Sequence, residues 1–338
     1  MKKVIFAIIC ASCATLAFGQ KEAERTKGIV GDHILPSFEI LANQSANLAQ
    51  ITQKDCTAGS APLHAAYANA FDAWIAVSHL RFGPSEIDDR AYALAFWPDP
   101  RGYTPKALKA LIHSKDPIID SVEDYAEVSI SARGFYALEF LIYDPVLSVE
   151  GEEHYRCDLI KIIAKDIQLL ADSIYTDWKN EYAVSMLMPT LKGRYRSEEE
   201  AIQELFKALS TGLQFTSDTR LGRPLGTFDR PRPRRAEAWR SGRSSHHIAI
   251  SLSALRDIAI KLAPTGSPLE HRLGLAFERA LLQLANLDDP IFASVAETQT
   301  RIKVEIVQQS VDAIRKIVRD ELGPELGVIA GFNAMDGD

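Results

Sequence analysis

One acidic residue interrupts the most apolar run of the chain. The run Gly134–Tyr143 carries Glu139 among phenylalanine, tyrosine, leucine and isoleucine residues. If this run is a helix, Tyr136, Glu139 and Tyr143 lie on one face, because their spacing is i, i+3 and i+7. A buried carboxylate needs a donor, a cation or a metal ion as partner. Carboxylate and phenol oxygens suit a hard cation, so we predict Glu139 and Tyr136 as ligands of an oxidised iron ion.

Two other roles for Glu139 stay open. It could be a general acid whose pKa is raised, or a structural carboxylate that binds a tyrosine hydroxyl or an arginine of another helix. Arg243 and Ser244 lie at a predicted helix start, where backbone donors and a guanidinium favour a carboxylate, so we expect them to form the opposite wall of the site. Trp97, in an irregular loop with an aromatic pair, is expected to line its mouth.

The histidines and the other motifs give no catalytic site of a known local pattern. The sequence has no H-E-x-x-H, no G-x-S-x-G and no Walker or dinucleotide glycine pattern, so we predict no catalytic residue. His79 follows Asp72 by seven residues and could chelate with it, although a core or surface histidine is the simpler interpretation. The adjacent His246 and His247 diverge on a helix and form no local clamp.

Helical periodicity dominates the elements that must position these residues. Apolar residues recur at helical spacing over 63–77, 159–178, 248–262 and 307–318, and no sustained apolar–polar alternation appears. Ser244 and Ser245 are the predicted N-caps of the third of these helices. The fold class is therefore all-α, built from packed helical bundles.

A chain of 338 residues exceeds one compact domain, so we predict two bundle halves. The first, 20–200, carries the Gly134–Tyr143 run, and the second, 201–338, begins with an Arg/Pro-rich entry loop. This loop, 220–243, holds eight arginines and several prolines, so it cannot be one continuous helix. It could bind an anion or pair with carboxylates across the domain interface, or it could be a solvated loop.

The N-terminus predicts export. Residues 1–19 have the three parts of a secretory signal: two lysines, an apolar run too short to span a bilayer, and small residues at Ala17 and Gly19 before cleavage at Gln20. We therefore expect a periplasmic or secreted protein, with lipidation of Cys13 as the less favoured alternative.

Composition and charge narrow the classes of function. With 46% hydrophobic and 25% charged residues, the chain is neither disordered throughout nor a multi-span membrane protein. Cleavage removes the two lysines and moves the net charge from −7 to −7 − 2 = −9, which argues against a nucleic-acid partner. The remaining Cys56 and Cys157 favour a disulfide in an oxidising compartment over two free thiols.

Four separated segments together resemble the imelysin family, also called the M75 peptidase family. The segments are Phe96–Asp99, Gly134–Glu139, Arg232–Ser244 and Gly331–Asp338. The resemblance implies an exported, all-helical protein of two bundle-like halves with a site between them. It also implies a metal-binding G-x-H-x-x-E motif, and family members are described as peptidases or as iron-regulated and iron-uptake proteins.

The chain departs from that motif at one position. Gly134 and Glu139 match the glycine and the glutamate, whereas Tyr136 stands where the family has histidine. Tyrosine cannot supply a neutral imidazole to zinc, and a phenol with a pKa of about 10 binds mainly strongly acidic ions such as ferric iron. The departure argues against a peptidase.

We therefore predict a binding protein linked to iron acquisition, whose ligand is a metal ion or a small anion and which could also have a membrane or periplasmic protein partner. One alternative is a metallopeptidase whose ligands come from distant histidines such as His79. The other is a scaffold or interaction protein without a small-ligand site.

Overall fold

The structure, a computed structural model, describes residues 22–328, and within them the chain forms helices and no β-strand. The longer helices are α1 Leu35–Lys54, α2 Ala61–Val77, α3 Tyr103–Ser114, α4 Gly134–Tyr143, α5 Glu153–Asp177, α6 Glu198–Gln214, α7 Ser244–Leu262, α8 Pro268–Ala285 and α9 Thr298–Ile317. Short α-helices are Arg90–Leu94, Val122–Tyr125, Ala183–Leu187, Gly222–Leu225 and Gly323–Glu325. The predicted all-α class is confirmed.

Single π and 3₁₀ turns extend or join these helices. The π-helical turns are Val30–Ile34, Trp178–Tyr182, Phe215–Leu221 and Val318–Leu322. The 3₁₀ turns are Gly83–Ser85, Ile87–Asp89, Pro117–Asp120, Ile130–Ala132, Pro233–Arg235 and Ala293–Ala296. Among residues 22–328, no helix combines the length and apolarity needed to cross a membrane.

The helices before residue 188 pack mainly on one another. Helix α1 lies between α2 and α5, and α4 packs on α5 and α2. A disulfide between Cys56 and Cys157 joins the α1–α2 connection to α5, as the sequence favoured. The predicted signal sequence, its cleavage before Gln20 and the alternative lipid site Cys13 lie outside the described residues, as does the segment 331–338.

The later helices form a second group. Helix α7 packs on α6 and α8, α9 packs on α8 and α6, and α7 also contacts α2 of the first group. The chain passes between the groups through an irregular stretch, 188–197. The division that we predicted at residues 200/201 falls in the first turn of α6.

The start of α7 differs from the prediction. Arg243 occupies its N-cap position, and no side chain caps the helix. Ser244 is the first helical residue, and its hydroxyl is buried without a hydrogen-bond partner. Apolar periodicity gave the extent of the helix correctly, but it carried no information on which residue adopts the extended conformation that a capping side chain requires.

The Arg/Pro-rich segment folds over α4, which gives this segment its functional interest. It begins in the π turn after α6, continues through Gly222–Leu225 and Pro233–Arg235, and ends at α7. As predicted, it is not one continuous helix. Its later part, 236–241, lies against α4 through side-chain contacts to Tyr136 and Glu139.

Candidate functional site

The polar face of α4 is turned toward the Arg/Pro-rich segment. Tyr136 and Glu139 are buried, with 6% and 2% of their surfaces exposed, and each binds a residue of that segment. Tyr143, which shares their face in the sequence, instead packs against His64, with ring centroids 4.5 Å apart. The predicted face is therefore real, but only its first two members contact the segment.

Glu139 is bound through one of its two oxygens. Its Oε1 accepts two hydrogen bonds from Ser241, one from the backbone N–H at 2.9 Å and one from the hydroxyl at 2.7 Å. Its Oε2 accepts no hydrogen bond from residues 22–328. Burial raises the pKa of Glu139 above its usual range, although both hydrogen bonds from Ser241 oppose the shift. Ser241 thus fixes one oxygen of the carboxyl group, and the other has no hydrogen-bond donor within residues 22–328.

Tyr136 belongs to a separate buried network. Its hydroxyl donates to Oε1 of Glu237 at 2.6 Å, and Arg220 Nε donates to the other oxygen of Glu237 at 2.7 Å. Burial by itself would raise the pKa of Glu237, but the charge of Arg220 and contacts from His247 outweigh it and hold this pKa at about 2. Burial and the charge of Glu237 raise the pKa of Tyr136 well above 10, so the phenol keeps its proton.

A cavity of about 210 Å³ lies beside these two residues. Tyr136 and Glu139 both line it, and so does Trp97, whose ring stacks on Tyr136 with centroids 6.2 Å apart. The wall also contains one further acidic residue, Asp99, whose oxygens accept hydrogen bonds from backbone N–H groups of α3. Its other aromatic and cationic residues are Phe96, Phe140, Trp239, Arg223, Arg234, Arg235 and Arg240. Three predicted site residues are therefore together in one cavity.

The arginines of this cavity are unequally neutralised. Arg240 binds Asp144 at 2.9 Å and stacks on Phe140. Arg223, Arg234 and Arg235 form no ion pair with the part of the chain that the structure describes. The buried Nε of Arg223 has no hydrogen-bond partner, and its guanidinium lies over Trp97 at 5.7 Å.

The crowding of these charges has an electrostatic consequence. Burial and the neighbouring charge of Arg235 together lower the pKa of Arg223. The cavity therefore combines a local excess of positive charge with aromatic walls, an arrangement that suits an anionic ligand.

Two predicted site residues lie elsewhere. Arg243 binds Asp72 of α2, which also accepts a hydrogen bond from His246 at 2.9 Å, and Ser244 is buried at the start of α7. The prediction that Arg243 and Ser244 face Glu139 is wrong, because a tight turn brings Ser241 to that carboxylate instead. Ala238 has φ 49° in this turn and accepts a hydrogen bond from the N–H of Arg243.

Three histidines, His33, His79 and His247, occupy core positions. His79 is 5% exposed, and its Nε2 lies 3.2 Å from Nε2 of His33, whose Nδ1 lies 2.8 Å from Asp257. His79 therefore does not chelate with Asp72, and the core interpretation is confirmed. His247 is fully buried, 3.6 Å from Asp72. Among residues 22–328, no three histidine, cysteine or acidic side chains are arranged to hold a metal ion.

Sequence reasoning missed Arg220, Arg223, Glu237 and Ser241. The arginines were noted as a group, but nothing in an irregular segment distinguishes the buried Arg220 and the half-buried Arg223 from the others. Glu237 and Ser241 lie in a stretch rich in proline and arginine, where no helical periodicity indicates which side chains share a face. The spacing of Glu237 and Ser241, four residues apart, could not be related to Tyr136 and Glu139 without the turn between them.

A larger and more open groove, of about 720 Å³, lies between α7 and α8. It contains none of the predicted site residues. Its arginine, Arg256, is already bound to Glu278 at 2.8 Å, and Asp257 is bound to Lys261. Because its arginine is paired with a carboxylate, this groove lacks the unpaired arginines of the smaller cavity.

Two solved structures have the same fold as this chain. An imelysin-like protein from Psychrobacter arcticum 273-4 superposes with a TM-score of 0.78 at 18% identity, covering 93% of this chain and 98% of that one. A protein from Parabacteroides distasonis ATCC 8503, described as a "putative iron-regulated protein A precursor", gives 0.70 at 13% identity, with coverage of 90% and 95%. No curated protein matches the chain.

The family comparison covers most of the sequence. The model of the imelysin family, Peptidase M75, matches residues 34–318, which include the whole candidate site. The two solved structures have imelysin-like architecture over nearly their full length. The chain belongs to the imelysin family.

Proposed function

We propose that this chain is a ligand-binding protein, not a peptidase, and that its cavity beside α4 holds a small organic anion. The observation that carries the proposal is the set of Arg223, Arg234 and Arg235 around one cavity without a carboxylate partner. Like charges at short range raise the free energy of the empty protein, and a bound carboxylate or phosphate would lower it through charge-assisted hydrogen bonds.

The size and walls of the cavity favour a compact ligand. A volume of about 210 Å³ is below the ~300–1,000 Å³ of pockets that hold drug-sized ligands. Trp97 and Phe140 offer apolar contact, while the guanidinium groups offer planar, bidentate donors. A small di- or tricarboxylic acid meets these requirements better than an extended polymer.

We further propose a role in iron acquisition. The support is the Parabacteroides distasonis relative described as iron-regulated, together with a free oxygen on Glu139. Of the two predicted metal ligands, Glu139 is the better candidate, because the hydroxyl of Tyr136 already donates to Glu237. Iron would then be cargo that arrives with the anion, held on its protein side by Glu139.

Export to the periplasm or beyond is part of the same proposal. Its support is the signal-like N-terminal sequence and the disulfide between Cys56 and Cys157, which forms readily in oxidising compartments. Lipidation at Cys13 is the alternative mode of export. A periplasmic or membrane protein that receives the ligand remains a prediction from the sequence.

The two alternative functions have less support. A metallopeptidase with distant ligands would need a histidine such as His79 at the site, and His79 instead contacts His33 in the core. A scaffold without a ligand site would leave Glu139 fully hydrogen-bonded and the surface above it closed. Oε2 of Glu139 accepts no hydrogen bond in the described part of the chain, and the residue lines a cavity, which favours a ligand.

Isothermal titration calorimetry with citrate, succinate and phosphate at low salt tests the proposal. Wild type should bind at least one of these anions, and Arg223→Gln should weaken that binding by about tenfold or more, since a charged hydrogen bond contributes about 1.5–3 kcal/mol. Arg272→Gln is the matched control, because Arg272 is exposed and bound to Glu321.

Two results would contradict the proposal. One is the absence of binding for every carboxylate and phosphate in the titrations. The other is equal binding by wild type and Arg223→Gln, which would show that the anion does not bind in this cavity. Hydrolysis of peptides that requires added metal and stops with a chelator would restore the peptidase alternative.

A further inference from the structure

The cavity contains unlike charges that are not paired with each other. Glu139 lines it with a free Oε2, and no lysine or arginine among residues 22–328 lies within ion-pair distance of this carboxylate. Arg240, which lines the same cavity, binds Asp144 instead. A buried carboxylate with neither a cation nor a full set of donors is costly when it is ionised.

The arginine side chains of the cavity lack negatively charged partners. Arg223 has a buried Nε without a partner, and Arg235 lies close enough to repel it. A bare metal cation would satisfy Glu139, but the arginines would repel it. A purely anionic ligand would satisfy the arginines, but an ionised Glu139 would repel it.

We infer that the ligand of this cavity is amphoteric, with a positively charged centre that meets Glu139 and carboxylates that meet the arginines. The inference rests on the proposed function, because it names the ligand chemistry of the same site. Two sources supply this chemistry: a metal ion wrapped in a polycarboxylate, and an α-amino dicarboxylic acid. In both, the positive centre and the carboxylates lie within one compact molecule, as the volume of 210 Å³ requires.

Calorimetric titration with citrate, ferric citrate and L-glutamate tests the inference and separates the two sources. Ferric citrate or L-glutamate should bind wild-type protein at least tenfold more tightly than citrate alone does. Glu139→Gln should erase that advantage, because the amide loses the charge but keeps an oxygen that accepts from Ser241. Citrate itself should bind this variant equally well or better. Glu150→Gln changes a half-buried carboxylate that lies outside the cavity and binds the exposed His113, and it should leave all affinities unchanged.

The outcomes distinguish this inference from the proposed function. If citrate binds as tightly as both amphoteric ligands, or if Glu139→Gln leaves the affinity ratio unchanged, the inference is overturned while an anion site remains. If no carboxylate of any kind binds, both fail. Retention of uncomplexed ferrous, zinc or copper ions that depends on Glu139 would also overturn the inference, because the arginines should exclude a bare cation.

Discussion

At the scale of single residues, Glu237 holds the site together more than any residue that the sequence suggested. Both of its oxygens are used: Tyr136 donates to one and Arg220 to the other. Arg220 continues the network to Ser251 at 3.0 Å. Glu237 and Arg220 are each only 3% exposed, so neither charge has water as an alternative partner.

Removal of Glu237 should therefore strongly destabilise the fold. We expect Glu237→Ala to lower the free energy of unfolding by about 3–5 kcal/mol, because it leaves Arg220 buried without a counter-charge. Urea denaturation followed by circular dichroism measures the change. Glu200→Ala, which breaks a pair with the mostly exposed Arg196, should cost no more than about 1 kcal/mol. Equal losses in the two variants would contradict the structural role of Glu237.

His79 should make the protein sensitive to mild acid. Burial lowers its pKa well below 6.5, and the neighbouring His33 and Arg220 lower it further. The folded protein therefore holds His79 neutral, whereas the unfolded chain protonates it near pH 6.5. Protons favour the unfolded state, so the free energy of unfolding should fall below pH 6.5 and stay constant above it, with a slope of up to about 1.4 kcal/mol per pH unit from this group.

Urea denaturation between pH 5 and 8 measures that slope. His79→Gln should flatten it, whereas His154→Gln should leave it unchanged, because His154 is 88% exposed. A slope that is the same in wild type and His79→Gln would show that other groups cause any loss in acid.

At the scale of elements, α4 owes its position to the glycine at its start. Gly134 has φ +74°, and a Cβ atom there would lie 2.2 Å from the carbonyl oxygens of Ala93 and Leu94. Close approach of these backbones brings α4 beside the loop that carries Trp97. Steric contact with neighbouring backbone thus explains why the family motif has glycine at this position, without reference to any ligand.

Gly134→Ala should cost more than about 3 kcal/mol of unfolding free energy, because it adds a clash with backbone atoms to an unfavourable φ. Gly242→Ala is the matched control: Gly242 has φ +73°, but nothing lies within 4 Å of its added Cβ. This control should cost about 1–2 kcal/mol, from the left-handed conformation alone. Thermal and urea denaturation compare the two, and equal costs would refute the steric explanation.

Periodicity predicted the elements well and their contacts incompletely. The four amphipathic stretches are helices because each must bury a continuous apolar stripe. Helix α4 is also confirmed; it was predicted from the spacing of its polar residues on one face. The partner of Glu139 was predicted as Arg243 or Ser244, whereas Ser241 binds it. That difference depends on a turn with a left-handed Ala238, and no local pattern in the sequence indicates such a conformation.

At the scale of the whole molecule, the first and second groups of helices meet through α2 and α7, and a buried apolar core runs through both. At the candidate site, α4 supplies Glu139 and the segment before α7 supplies Ser241. The disulfide between Cys56 and Cys157 links parts of the first group that are 101 residues apart.

Loss of this disulfide should lower stability substantially without changing the fold. Closing a loop of about 100 residues limits the unfolded chain by up to about 4.7 kcal/mol, and typical measured values are 2–4 kcal/mol. We expect a loss of about 2–5 kcal/mol in the double variant Cys56→Ser, Cys157→Ser, measured by urea denaturation. The same loss on adding reductant to wild type serves as the control. An unchanged midpoint would indicate that the bond contributes nothing to stability.

The charge distribution of the molecule leads back to the site. The chain is acidic, with a net charge of −7, yet Arg223, Arg234 and Arg235 line one small cavity and form no ion pair with any of residues 22–328. Such an exception in an acidic protein is best explained by a ligand that supplies the negative charge.

A crystal structure of the protein soaked with citrate tests this claim most directly. The account predicts density for the ligand in the cavity beside α4, with carboxylate oxygens within about 3 Å of the Arg223 guanidinium and the ligand in contact with Trp97. An empty cavity at saturating citrate, or citrate bound only in the groove between α7 and α8, would contradict it.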